Sequence, residues 1–530
     1  MGNRHRMRYN APVSPTAPPL PRERLARGAF AAALCAAIGA AFVVWPAHPA
    51  AHSDFPLDDA WIHLVYVRSL LTEGIPAYNP GEAEAGFSSP LWLLAAGPAT
   101  ALARALGASP VLGVKVTSLA CAAFAASALG ALARRLGGSP GASFGALTLG
   151  LLGTGLAESS VSGMEVALAL GLNASACAAA VCDRPGRAGA LAALALLARP
   201  ESALATIALA AVTLLSRRDR AGLTAGLRLV LPSALAGGLW CTYNLAVTGH
   251  PLPNTFYAKA GHLALGTNLL TLGRTWTEGG LLRAGLLAAL LALGVARTGS
   301  PRDRALVLAA WLAPVAGVLL SRHLASGAGF CVRRYLHAFL PLGVAFAGPG
   351  LDALVSALER HVPRRVVVPG LVAVACLGLA PGVALARRQH AFNSRDITIF
   401  HTGLARRVRD ELPRASVIGV EGAGASRYFA ERRVVDLLGL NDRYVVHARG
   451  RRYAYACALA ARAPDVLVVP AELASALSRV FALRPLFGAR DGHYTQALPA
   501  VAHRVDVYAA RVHDAQRARC LARFPPDGRP

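Results

Sequence analysis

The feature that most restricts this chain is a succession of apolar runs too long for a soluble domain. Residues 28–45, GAFAAALCAAIGAAFVVW, are long enough to cross the roughly 30 Å hydrocarbon core of a bilayer. Comparable segments run at 90–106, 111–133, 140–157, 165–182, 187–215, 226–247, 281–297, 304–320, 335–350 and 366–386. Hydrophobic residues make up 54% of the chain and charged residues only 16%, so a polytopic α-helical membrane protein is the class that fits. The spacing predicts roughly 9–12 transmembrane helices.

The net charge of +25 invites a nucleic-acid partner, and the distribution of that charge excludes one. Lysine occurs only at Lys115 and Lys259; all other basic side chains besides histidine are arginines, gathered at the ends of apolar segments and in the C-terminal tail. There they set topology or solvate a surface. The leader, residues 1–27, carries Arg4, Arg6, Arg8, Arg22, Arg24 and Arg27, which places it in the cytoplasm by the positive-inside rule. The first segment then leaves the cell, and the acidic loop 46–90 lies outside. Arg134–Arg135, RRDR (217–220), RTGSPRDR (297–304) and ERHVPRR (359–365) fall inside if 90–106 is a short helix that does not cross fully and 187–215 is broken at Arg199-Pro200-Glu201. One loop, SRHLASGAGFCVRRY (321–335), is basic yet external on this scheme.

Beyond about residue 390 the apolar runs shorten to strand length: ASVIGV (415–420), RVVDLLGL (433–440), PDVLVVP (464–470) and HRVDVYAA (503–510). Helix-like stretches, 402–412 and 472–483, separate them, so 390–530 reads as a soluble α/β domain on the outer side of a transmembrane domain at 28–389. Its cysteines Cys457 and Cys520 have the opportunity to pair if that domain is exported. Gly422-Ala423-Gly424 follows the first of these strands; Arg427 stands where a dinucleotide fingerprint needs its third glycine, so a plain turn is the better reading.

The chemistry-bearing residues concentrate on the outer face. Asp58 and Asp59 open a helical pattern, and adjacent residues on a helix point roughly 100° apart. At most one of them serves well as an N-terminal cap, so the pair reads either as structural capping alone or as a cap with a general base beside it. Lys259 and Arg333-Arg334 reach the same face, where residues at a membrane edge are solvated. Glu165 opens an apolar helix there, where its charge complements the helix dipole. Glu201 is expected to pair with Arg199. His52, Asp54, Asp58 and His63 have no firm ligand spacing, so no cofactor is expected and a divalent metal is unsupported.

Read together, the stretches LDDAWIHLVYVRSLL, YNPGEAEAGFSSPLW, Ser162-Gly163-Met164-Glu165, Ala198-Arg199-Pro200-Glu201, LPNTFYAK (252–259), Arg334-Tyr335-Leu336 and VDLLGLND (435–442) resemble, in collinear order, the GT-C type polyprenyl-phosphate-dependent glycosyltransferases. The likeness is to the mycobacterial terminal arabinofuranosyltransferase family in particular. His63, Val65, Ala83, Ala85 and Glu421 depart from that pattern, which bears on the sugar more than on the reaction. The resemblance implies a bacterial inner-membrane enzyme that moves a sugar such as arabinofuranose from a polyprenyl-phosphate donor to a cell-envelope glycan outside the cytoplasm. It implies Asp58, with Asp59 second, as the base; Lys259, Arg333 and Arg334 as phosphate ligands; and Glu165, Asn254, Tyr257 and Trp92 as further substrate contacts. A different class stays open: a non-catalytic scaffold or lipid-linked-sugar transporter with the same fold, linked to envelope or flagellar assembly.

Overall fold

The computed structural model describes residues 21–259, 264–321, 330–448, 452–494 and 501–523. Most of the basic leader and the centre of the basic loop 321–335 lie outside the described residues.

Among the described residues, six helical stretches are long and apolar enough to cross a membrane: Pro21–Val44, Pro110–Arg135, Arg220–Thr248, Pro301–Leu320, Cys331–Leu358 and Arg364–Glu411. Leu265–Thr277 and Leu281–Arg297 supply a seventh as a pair bent by 94°, of which only the second half was legible as an apolar run. Four shorter apolar helices complete the set: Pro140–Leu152, Val166–Val181, Pro185–Ala198 and Ser202–Ser216. The break between the last two falls at Arg199-Pro200-Glu201, where a missing backbone donor and two charges interrupt the apolar pattern. Segment 335–350, expected as one helix, divides into an α-helix (Phe330–His337), a 3-10 stretch (Leu340–Phe346) and a further α-helix (Ala347–Leu358). Proline opens the helices at Pro90, Pro110, Pro140, Pro185 and Pro301, where its missing N–H and fixed φ do no harm. Fully buried alanines, among them Ala122, Ala125, Ala126, Ala167 and Ala174, let the Pro110–Arg135 and Val166–Val181 helices approach closely.

The C-terminal part carries a mixed five-stranded sheet. In chain order the strands of the molecule are β1 (Ala77–Asn79), β2 (Glu82–Ala83), β3 (Ile418–Val420), β4 (Val434–Asp436), β5 (Val466–Pro470), β6 (Phe481–Tyr494) and β7 (Val501–Val512). The large sheet is ordered β4-β3-β5-β7-β6, parallel across β4, β3 and β5 and antiparallel beyond. The helix expected at 472–483 ends at Leu477, and the chain turns into edge strand β6, where Pro485 sits at a register shift. Cys457 and Cys520 form a disulfide inside this domain's own apolar cluster.

No linker separates the two parts. The division expected at 389–390 falls within the Arg364–Ile397 helix, which continues through a π-helical stretch, Thr398–Gly403, to Glu411. The outer loop is built into the sheet domain. Its Asp58–Glu73 helix ends at Gly74 with φ of 73°, and the Asn79-Pro80-Gly81 turn, with Gly81 at φ 72°, folds β1 onto β2. The Asn79 side chain donates to the Val434 carbonyl and accepts from the Val434 N–H at 3.0 and 2.9 Å, much as a neighbouring strand would. A single apolar cluster runs from Phe55, Trp61 and Tyr66 of the loop to Val420, Val468 and Val507 of the sheet.

A close backbone contact joins the loop helix to the helix Ala423–Ala430. A Cβ on Gly424 would stand 2.1 Å from the Asp58 carbonyl oxygen and 2.8 Å from the Trp61 Cβ, so only glycine fits. Gly424→Val is therefore expected to undock the C-terminal domain, since overpacking against backbone typically costs about 1–3 kcal/mol or more. Limited proteolysis in detergent checks this: the variant should release C-terminal fragments at protease doses the parent resists, and equal resistance refutes the packing argument.

Candidate active site

The two adjacent aspartates do different things. Asp58 does not cap its own helix; its carboxylate accepts the backbone N–H groups of Gly424 and Ala425 at 2.7 and 2.8 Å, at the start of the Ala423–Ala430 helix. Charge and free donors at a helix N-terminus favour that placement. Asp59, rotated around the helix, lines a cleft of about 410 Å³, a volume that includes its open mouth.

The cleft is assembled from distant segments: Asp59, Ile62 and His63 of the loop helix, Gly86–Ser88, Met164–Glu165, Arg199, Thr255, Lys259, Arg334–Tyr335 and Leu440. Gly86 is obligatory, because a Cβ there would lie 2.2 Å from Asn441 Oδ1 and 2.4 Å from the Tyr66 hydroxyl. Asn441 is itself held by Asp436, whose carboxylate accepts from Leu438 N, Gly439 N, Asn441 N and Asn441 Nδ2 within a turn of VDLLGLND. That turn delivers Leu440 to the cleft wall.

The charged groups form a chain of pairs. Arg334 Nη2 donates to Asp59 Oδ2 at 2.5 Å, and Lys259 Nζ stands 3.5 Å from the same oxygen and 3.1 Å from the Tyr335 hydroxyl. Burial alone would raise the Asp59 carboxyl; Arg334 and Lys259 outweigh it and hold the group well below the usual carboxylate range. On the opposite side Arg199 donates to Glu165 at 2.8 Å and to both oxygens of Glu201, the pairing expected for Glu201. The Tyr335 ring lies among three cations: Arg199 at 4.8 Å, Arg334 at 5.2 Å and Lys259 at 5.8 Å from its centroid.

Comparison with solved structures identifies this architecture. The chain superposes on ArnT from Cupriavidus metallidurans, solved bound to undecaprenyl phosphate, with a TM-score of 0.55 and 14% identity over 92% of this chain and 98% of that one. It superposes on an oligosaccharyltransferase from Archaeoglobus fulgidus in the apo form, with a TM-score of 0.53 and 12% identity over 85% and 70% of the two chains. It also matches arabinofuranosyltransferase AftD from mycobacteria, with a TM-score of 0.50 and 18% identity over 94% of this chain and 40% of that one. The fold is that of the GT-C glycosyltransferases. Residues 389–515 match the model of a domain of unknown function, DUF8728, and comparison with curated protein sequences gives no significant match.

Of the residues singled out in the sequence, the cleft brings together Asp59, Glu165, Lys259 and Arg334. Asp58 stands at the interdomain helix contact. Arg333, though adjacent to Arg334, faces away: it pairs with Glu278, stands 3.6 Å from Glu158 and donates to Gln389 at 3.0 Å. Asn254 is buried beside the cleft, donating to Glu84 at 3.1 Å, and Tyr257 packs on the rings of His447 and His250. Trp92 is fully buried, its indole donating to the Gly163 carbonyl at 3.1 Å. Asp54, one of the residues weighed for a metal, instead accepts from Trp61, Phe55, Thr398 and Thr402. No group of three or more His, Cys, Asp or Glu that could hold a metal occurs among the described residues.

Sequence reasoning passed over His63, Thr255 and Tyr335 as cleft residues. A signal existed for His63: it lies four residues after Asp59 on one helix, hence on the same face. Burial is the main force that lowers the His63 pKa; Lys259 and Arg334 reinforce it, while Glu165 and Asp59 oppose it. An unfolded histidine titrates near about 6.5, so as pH falls below that value the unfolded chain takes up a proton that the folded chain refuses, and stability drops. The thermal stability of His63→Gln relative to the parent should therefore rise as the pH is lowered from about 8 to about 5.5. A difference that stays constant across that range in a detergent melting assay would mean that His63 titrates normally in the folded protein.

Proposed function

We propose that this protein is a membrane glycosyltransferase that transfers a sugar from a polyprenyl-phosphate donor to a hydroxyl of a glycan acceptor on the extracytoplasmic face of a bacterial inner membrane. The observation that carries the reading is the meeting of one carboxylate, Asp59, with two cations, Lys259 and Arg334, in a cleft between the loop and the helical part of the chain, with Leu440 of the C-terminal domain on its wall. The GT-C fold, and the undecaprenyl phosphate held by one protein that shares it, support the same donor chemistry. The resemblance of the sequence motifs supports arabinofuranose as the sugar.

Asp59 rather than Asp58 is the base on this reading, because the Asp58 carboxylate is occupied by two backbone N–H groups outside the cleft. The acceptor oxygen attacks the anomeric carbon as its proton passes to Asp59. The bond from that carbon to the phosphate oxygen breaks, and polyprenyl phosphate leaves with the bonding electrons. Lys259 and Arg334 stabilise the phosphate as it gains charge. The disulfide Cys457–Cys520 in the domain that packs on the loop supports the oxidising, extracytoplasmic side for both.

Purified variants assayed for transfer from synthetic farnesyl-phosphoryl arabinofuranose to an oligosaccharide acceptor test the mechanism. Asp59→Asn should lose about 10²–10⁴-fold in turnover, the usual contribution of a general base. Lys259→Ala should act mainly on KM for the donor, since the phosphate is charged before and after the step. Near-parental turnover by Asp59→Asn would remove Asp59 as the base, whereas a parent that transfers no sugar from this donor would favour the scaffold or transporter class. An alkaline phosphatase fused after Pro530 should be active; an inactive fusion of a stably expressed protein would reverse the topology.

A further inference from the structure

The cleft holds more polar groups than the proposed phosphate and proton transfers use. Among the described residues, four buried polar atoms of its lining have no hydrogen-bond partner: His63 Nδ1, Glu165 Oε2, Thr255 Oγ1 and Arg334 Nη1. Buried polar atoms are normally paired, and leaving one unmade costs about 1–3 kcal/mol, so four around one cleft point to a ligand that completes them. Arg334 Nη1 belongs with Lys259 on the cationic side. The other three form a separate polar set: His63 is 7% exposed and Glu165 3% exposed.

We propose that His63, with Glu165 and Thr255, recognises hydroxyl groups of the transferred sugar, and that His63 is the specificity-determining residue of this subsite. The proposal rests on the glycosyltransferase reading above and adds which side chains choose the sugar. The set is chemically mixed. Glu165 Oε2 can only accept, Thr255 can donate and accept, and a neutral imidazole offers one donor and one acceptor. Alternating donors and acceptors match vicinal hydroxyls. A sugar carboxylate would meet Glu165 and Asp59 with like charge and is disfavoured. His63 is well placed for the hydroxyls nearest the reacting carbon, because it lies one helical turn from Asp59 on the same face. The charged groups around it are Glu165, Asp59, Arg334 and Lys259, and burial within that set keeps the imidazole neutral.

The test is a binding cycle on the full-length protein in detergent. The probes are farnesyl phosphate, a panel of farnesyl-phosphoryl neutral pentoses and hexoses, and singly deoxygenated forms of the tightest-binding member. In the parent, removal of one particular hydroxyl should weaken binding by about 5- to 10-fold, the range of one hydrogen bond. In His63→Ala that same deletion should cost nothing further, while farnesyl phosphate binds both proteins equally. His63→Gln, which keeps a donor and an acceptor, should bind farnesyl phosphate as the parent does and guards against a folding defect in the alanine variant. The subsite is overturned if every deoxy sugar is penalised equally in parent and variants, or if His63→Ala weakens farnesyl phosphate as much as the sugar. A parent that binds farnesyl phosphate but gains nothing from any sugar also overturns it, and leaves the lipid-phosphate reading standing. A parent that binds no polyprenyl phosphate at all sinks the glycosyltransferase reading itself.

Discussion

The arrangement depends on the contact between the Asp58 carboxylate and the first turn of the Ala423–Ala430 helix. Two backbone N–H groups of that turn are satisfied by a side chain more than 360 residues away in sequence, and Gly424 allows the two backbones to come within contact distance. A helix start left without acceptors inside an interface would be costly, so the contact stabilises the C-terminal domain and orients the loop helix together. The consequence for chemistry is angular. With Asp58 committed to the interface, its neighbour turns by roughly 100° along the helix and enters the cleft. One dipeptide thus couples domain docking to the placement of the carboxylate.

A second constraint keeps that geometry rigid. The loop could have been a mobile flap, but Asn79, Tyr78, Tyr66 and Arg443 bind it to backbone and side-chain groups of the sheet domain or its flanks. At the other end Asp54 gathers Thr398 and Thr402, whose π-helical stretch lies where the last membrane helix enters the C-terminal domain. Lys115, buried, donates to the carbonyls of Ala51 and Asp54 at 2.5 and 2.8 Å. The rare lysines therefore both meet the first part of this loop: Lys115 anchors its base, and Lys259 faces Asp59 in the cleft.

Much of this was legible in the sequence because it rests on local rules. Apolar runs marked the membrane helices, and Arg199-Pro200-Glu201 marked a break. The expectation that one of the adjacent aspartates caps its own helix did not hold, because Asp58 accepts from the start of a different helix. What local rules could not supply was which aspartate took which task, since the groups that engage Asp58 lie on a helix hundreds of residues later. The same holds for Arg333 and Arg334: charge counting brought both to the outer face, but only the helical rotation between them sends one to Glu278 and Glu158 and the other to Asp59. Strand β6 was hidden for a different reason. It is an edge strand carrying Arg, Pro and Gly, so it shows little of the apolar alternation that betrays its neighbours.

The pairing inside the cleft carries one last step. Asp59, Glu165 and Glu201 face Lys259, Arg334 and Arg199, so the formal charges of this set balance before any ligand enters. A carboxylate held by two cations is a poor proton acceptor, as the depressed pKa of Asp59 expresses. A phosphate arriving on the proposed reading changes that without any new protein group. Arg334 has Nη1 free to donate, and Lys259 is already shared between Asp59 and Tyr335, so both can turn part of their charge toward the phosphate. Each step in that direction withdraws stabilisation from the ionised form of Asp59 and raises its affinity for a proton. On that reading the donor prepares the base for its own transfer: until it binds, the carboxylate stays tied to its cations.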